Sequence, residues 1–175
     1  SIQVGCAMNC TFCASGLHGF MRNLTAGEIL AQLYYFDHVL LPKGERVSRI
    51  VIMGSGEPML NLDNVLAALD LMHHDKGQCI SYRNMTISTC GIVPGIEEMT
   101  RQGRTINLAV SLHAATGALR DRLMTINGKY PFPDVIDAAS RYEKMNGRQV
   151  MYEYILLAGI NDREEDARAL AEALS

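Results

Sequence analysis

Tryptophan is absent from the 175 residues, and aromatic residues make up only 6% of them. Such a chain shows no aromatic platform on which unstacked bases could rest. No apolar run approaches the ~18 residues that a membrane-spanning helix needs. The first residues lack the basic and apolar succession of a secretory signal. Charge of either sign is not in excess: 16 Lys and Arg stand against 19 Asp and Glu, a net of −3. Nothing global therefore advertises nucleic-acid binding. Local basic spots at Lys43, Arg46 and Arg49, and at Arg101 and Arg104, read as solvated surface. Internal repeats and low-complexity linkers are missing too. What remains is one domain, 48% hydrophobic and long enough for a sizeable core.

What is present begins with cysteine. Cys6, Cys10 and Cys13 share one short loop at a C-x3-C-x2-C spacing. Cysteines used in this way point to a reducing, cytoplasmic setting and not to a disulfide framework. Thiolates so close in sequence can converge on one metal centre. In a four-iron cubane, three thiolates leave one iron without a protein ligand. That iron can chelate an amine and a carboxylate, as at the methionine end of S-adenosylmethionine. One electron passed to the sulfonium then breaks a carbon–sulfur bond, with the cofactor carrying the hard chemistry. Two other readings stand beside this one. The first is a Cys3His zinc site with His18 as fourth ligand, in a non-catalytic binding module. The second is a set of ordinary buried cysteines.

The remaining pattern predicts alternating strands and helices. Ile2 to Val4 reads as a strand entering the cysteine loop. Thr25 and Glu28 form a capping box for a helix with Ile29, Leu30, Leu33, Phe36 and Leu40 on its core face. Arg49–Met53 reads as a buried parallel strand. Asn61 or Asp63 caps the next helix, which carries Val65, Leu66, Leu69 and Met72. Further strands are predicted over Met85–Thr89, Ile106–Leu112 and Gln149–Leu157. Further helices are predicted over Pro94–Gln102, Gly117–Met124 and Pro133–Met145, with a last one capped by Asn161 or Asp162. Five alternations argue an α/β domain with a parallel sheet and right-handed crossovers.

Ligands of such sheets bind beyond the carboxyl ends of the strands. Here every strand end is polar or glycine-rich: the cysteine loop, Gly54-Ser55-Gly56-Glu57-Pro58, Ser88-Thr89, Ser111 with His113, and Asn161. Glycines at 54 and 56 let backbone approach a ligand closely. Glu57 can accept a hydrogen bond from an ammonium. Ser88, Ser111, His113 and Asn161 can bond a ribose, an adenine edge or a carboxylate. Each alone has a plainer reading, such as a tight turn, a strand terminus or a satisfied structural histidine. Their joint placement at strand ends favours the functional one.

These motifs resemble a known family. The loop Gly5-Cys6…Asn9-Cys10…Phe12-Cys13 with Arg22-Asn23-Leu24-Thr25 is similar to the RlmN/Cfr branch of radical S-adenosylmethionine methyltransferases acting on RNA adenine. So are Met53–Asn61, Ser88–Pro94, Ser111-Leu112-His113-Ala114, Arg120…Leu123–Asn127 and Gly159–Asp162. The resemblance implies a partial (βα)6 TIM-like barrel, of which this chain supplies about five βα units. It implies that Cys6, Cys10 and Cys13 hold a 4Fe–4S cluster. Gly56, Glu57, Ser88, Ser111, Leu112, His113 and Asn161 would contact S-adenosylmethionine. The implied reaction is methylation of carbon 2 of an adenine in 23S ribosomal RNA, and also of transfer RNA. The Cfr-like alternative is carbon 8 of the same adenine. An electron donor such as flavodoxin and a monomeric state go with this reading. The expectation is that residues 1–175 form the radical core domain. The N-terminal accessory domain with its base glutamate, and the C-terminal segment with the acceptor cysteine, would lie outside. Such a piece would bind cluster and cofactor without methylating RNA by itself. Three positions depart from the branch's usual pattern: Ser55 stands where methionine is common, Cys90 where serine is, and Thr125 where proline is.

Overall fold

The computed structural model describes Ser1–Ser175 throughout. Its centre is a parallel sheet of four strands in sequential order: β3 (Ile50–Ile52), β4 (Met85–Thr89), β5 (Asn107–Ser111) and β6 (Met151–Glu153). Ahead of it, β1 (Gln3–Gly5) and β2 (Phe20–Asn23) form a separate antiparallel ladder around the cysteine loop. The helices are α1 (Ala26–Leu40), α2 (Leu62–His73), α3 (Val93–Gln102), α4 (Gly117–Leu123), α5 (Phe132–Asn146) and α6 (Glu164–Ala173).

The sheet has two unlike faces because side chains alternate along a strand. Met85, Ile87, Leu108 and Val110 point to the helix layer, where they are buried with Leu69 of α2, Ile96 of α3, and Val135 and Tyr142 of α5. Ser88, Ser111 and Glu153 lie on the other face. Ser88 pairs with Ala109, two residues before Ser111, and Ser111 pairs with Glu153. The Tyr142 hydroxyl reaches the Ile106 carbonyl at 2.6 Å, so α5 docks on the sheet without leaving its one polar atom unpaired.

Five expectations change, the first being burial of the strand at Arg49–Met53: β3 is the edge of the sheet and Val51 in it is exposed. The first strand does not join the parallel sheet: its residues pair with β2, while the Ile2 and Gln3 amides reach only the Ser55 carbonyl beyond the end of β3. The strand predicted over Gln149–Leu157 is ordered as β only at Met151–Glu153, because Asn161 captures the Leu157 amide and the Ile155 carbonyl and turns the chain away. The last helix is capped by Arg163, not by Asn161 or Asp162. On α1, Ile29 and Leu33 are buried but Phe36 is exposed, on the rim of an apolar groove between α1 and the edge strand β3. No helix is long and apolar enough to cross a membrane.

The Thr25–Glu28 capping box forms as expected, and Arg22 clasps the Glu28 carboxylate from the preceding strand at 2.8 Å. The Arg22 hydrogen bonds, first, and those of Thr25 pull the Glu28 carboxyl down from 4.5 to about 2. A depressed carboxyl stabilises the fold above its unfolded value and stops doing so as pH falls through the folded one. The stability difference between the parent and Glu28→Gln should therefore be level at neutral pH. It should shrink as pH falls from 4.5 towards 2, in urea titrations run across that range.

Candidate functional site

Beyond the strand ends lies a cavity of about 210 Å³. The cysteine loop forms one side of it, and the others are the last residues of β3, β4, β5 and β6 and residues that follow the first three. Cys6, Cys10 and Cys13 all line it. Burial raises the Cys6 and Cys10 thiols; Cys13, Cys6 and Glu57 add to the effect on Cys10, which reaches about 11. Thiols that raise one another in this way share one space.

The loop is fastened on three sides. The Cys6 amide donates to Gly19 O at 3.2 Å and the Thr11 amide to Leu123 O at 3.0 Å. Phe12 meets the His113 ring edge-on, with centroids 4.8 Å apart. Two of the unusual residues add hydroxyl ties: Ser55 Oγ donates to Gly5 O at 3.3 Å and Thr125 Oγ1 to Met8 O at 3.2 Å. A methionine or a proline at those positions could donate neither bond. The third, Cys90, lies in the cavity wall.

No three His, Cys, Asp or Glu side chains are gathered as one metal ion would require. His18 is exposed and lies outside the cavity lining, so a Cys3His zinc site is not assembled. A cubane takes each thiolate on a different iron and needs them around a larger body. Three thiols spread around one roomy cavity fit that group better than they fit a single ion.

The turn after β3 needs its glycines. Gly56 has φ 105°, and a Cβ there would come within 2.6 Å of Gln3 and Ile2 side-chain atoms. Glu57 follows, 3% exposed, with its Oε1 accepting from Met59 N and Thr89 Oγ1 and its Oε2 from Cys90 N. Burial raises its carboxyl, and these donors oppose the rise.

Gly56, Glu57, Ser88, Ser111 and His113 all reach the cavity, as the strand-end pattern predicts. Leu112 and Asn161 do not line it. Leu112 is fully buried in the core. Asn161 is buried behind His113: its Nδ2 donates to His113 O and Ile155 O, and its Oδ1 accepts from Leu157 N. It staples the loop that places His113. Burial lowers the His113 pKa, Glu153 opposes that, and Nδ1 accepts from Ile155 N at 3.1 Å. The neutral ring therefore carries its proton on Nε2.

Glu153 was not singled out by sequence. It ends β6 and faces the cavity, where its Oε2 accepts from Ser111 Oγ at 3.0 Å and Ser88 Oγ at 3.2 Å. Both serines direct their hydrogens at one carboxylate and present lone pairs outward. This wall offers acceptors and negative charge, which suits hydroxyl or ammonium donors and repels a carboxylate. Only the register of β6 beside Ser111 could have pointed to it.

Comparison with known proteins follows the same lines. A family model described as "Radical SAM superfamily" matches residues 1–171. A probable dual-specificity RNA methyltransferase RlmN of Symbiobacterium thermophilum is 52% identical over 172 residues, covering 98% of this chain and 46% of its own. One from Moorella thermoacetica is 50% identical over 176 residues, covering 99% and 50%. The crystal structure of a radical SAM methyltransferase from Sphaerobacter thermophilus superposes with TM-score 0.96 at 40% identity, covering 99% of this chain and 51% of that one. The chain thus spans about half the length of the curated relatives it matches. A thiol-lined cavity at the strand ends of a parallel α/β sheet, with a family match along almost the whole sequence, means that the chain belongs to the radical SAM superfamily, whose cofactors are S-adenosylmethionine and a 4Fe–4S cluster.

Proposed function

We propose that these residues form the cofactor-binding core domain of a radical methyltransferase acting on RNA adenine. One observation carries the reading: the three cysteines and the acceptor wall of Ser88, Ser111 and Glu153 share one cavity. Cys6, Cys10 and Cys13 would hold the cluster. The bound cluster supplies the electron that breaks a carbon–sulfur bond of S-adenosylmethionine. The protein's part is to hold that cofactor. Gly56 keeps backbone close to it, and the one acceptor site left on Glu57, at Oε2, suits its ammonium. The acceptor wall suits the ribose hydroxyls, and His113 Nε2–H is a donor for an acceptor atom. Leu112 and Asn161 support His113 from behind.

The finer reading is methylation of carbon 2 of an adenine in 23S ribosomal RNA, and of transfer RNA. It is supported by the name "dual-specificity RNA methyltransferase RlmN" that the relatives carry and by Glu57-Pro58 followed by Leu60-Asn61. The target base would have to leave its stack to reach the cavity. Five free cysteines suit a reducing cytoplasm, and a flavodoxin-type electron donor and a monomeric enzyme go with the family reading. Methyl transfer is assigned to a protein of the relatives' length.

Three measurements test this. Anaerobic reconstitution should give about four irons and matching sulfide per chain, and Cys10→Ala should lose most of both. Stoichiometric zinc, or iron indifferent to Cys10, would sink the radical reading. Glu153→Ala should weaken S-adenosylmethionine binding about tenfold, since a charged acceptor is removed from the wall; an affinity within twofold of the parent excludes the ribose role. In a protein of the relatives' length, nuclease digests of treated ribosomal RNA should contain 2-methyladenosine. Finding 8-methyladenosine instead would assign the Cfr-like chemistry.

A further inference from the structure

The segment Arg120–Asn127 is singled out by sequence, yet only Met124 of it lines the cavity. Its first residue is unusual. Arg120 is fully buried. Its Nη1 donates to Asn127 Oδ1 at 3.0 Å and its Nη2 to the Cys90 carbonyl, but Nε has no partner. It takes part in none of the molecule's ion pairs. A buried guanidinium without a counter-ion is costly, and folds keep one only where an anion offsets it.

The groups that act on it are the thiols of Cys90 and Cys10, and Asp121. Asp121 is exposed and bound to Asn127 Nδ2 at 2.7 Å. Both thiols belong to the cavity wall. The same short helix also grips the loop, because Leu123 O accepts from the Thr11 amide. Arg120 thus stands one layer behind the cavity, on the element that anchors the cysteines.

We infer that Arg120 is a positioning residue for the iron–sulfur cluster: its unpaired guanidinium is the buried counter-charge to the thiolate-ligated group and favours its reduced state. The inference rests on the cluster reading above. Reduction adds one negative charge at the cavity. A fixed cation buried behind the wall stabilises that charge, and net charge near the sulfurs is a lever on cluster potential. A staple that only joined Asn127 to Cys90 would hold geometry and leave electron affinity alone.

The test is a redox titration of the reconstituted protein, read by the electron paramagnetic resonance of the reduced cluster. At the parent's midpoint, Arg120→Gln should lower the ratio of reduced to oxidised cluster about tenfold, or about 59 mV for one electron. Arg120→Lys keeps the charge and should stay within about threefold. Asp121→Asn removes the opposing carboxylate from the surface and should raise the ratio about two- to threefold. An unmoved midpoint in Arg120→Gln, or equal losses with Gln and Lys, overturns the inference in favour of a staple. Should Arg120→Gln fail to hold a cluster, Asp121→Asn decides: a ratio that stays or falls overturns it. A parent protein that takes up no cluster removes the reading on which the inference stands, and the inference with it.

Discussion

A carboxylate withdrawn from water joins the strand ends. Glu57 receives the amides of Met59 and Cys90 and the hydroxyl of Thr89, and its own amide donates to Gln3 Oε1 at 2.8 Å. Through these bonds the turn after β3 is fixed to the end of β4 and to the ladder that frames the cysteine loop. Burial raises this carboxyl, and a polar group at such depth needs donors around it. Each of those donors is set by an element of the fold: a 3₁₀ turn at Pro58–Leu60, the last residue of β4, and the residue after it. The cavity therefore has one wall whose shape follows from satisfying a single buried carboxyl group. Gly56 has no room for a side chain because Ile2 and Gln3 are drawn in against it.

Charge is arranged around the cavity in an ordered way. Glu153 and Glu57 are carboxylates on its walls, His113 is held neutral by burial, and Arg120 stands behind. Glu153 makes the wall that it shares with Ser88 and Ser111 the anionic side of the cavity. The hydroxyls of Ser88 and Ser111 are both held by that one carboxylate.

Much of this was legible in the sequence because it depends on local rules. The cysteine spacing, the Thr25–Glu28 box and the β-branched runs of β3 and β4 each announce themselves within a few residues. Gly103 closes α3 in the left-handed conformation that glycine favours. What escaped depends on distant partners. Strand β2 is mostly exposed and shows no apolar alternation, since it exists only to pair with β1. Glu153 looks like any acidic residue until β6 aligns it with Ser111. Asn161 reads as a ligand contact at a strand end, yet its side chain closes the loop between β6 and α6. Phe36 has helical spacing for the core but stays exposed on the rim of the groove beside the edge strand β3.

The sheet ends on the side of β3 with its backbone row facing no further strand, and Val51 there is 54% exposed. Such an edge is a template: any extended segment with free amides and carbonyls can lay itself alongside. The apolar groove between α1 and β3 lies along the same border. Self-association of this chain has two separate terms here, backbone pairing along the border and repulsion from the net charge of −3. Concentration and ionic strength will act on them differently. Self-association through backbone pairing grows with concentration and persists in salt, whereas repulsion between like-charged molecules is screened.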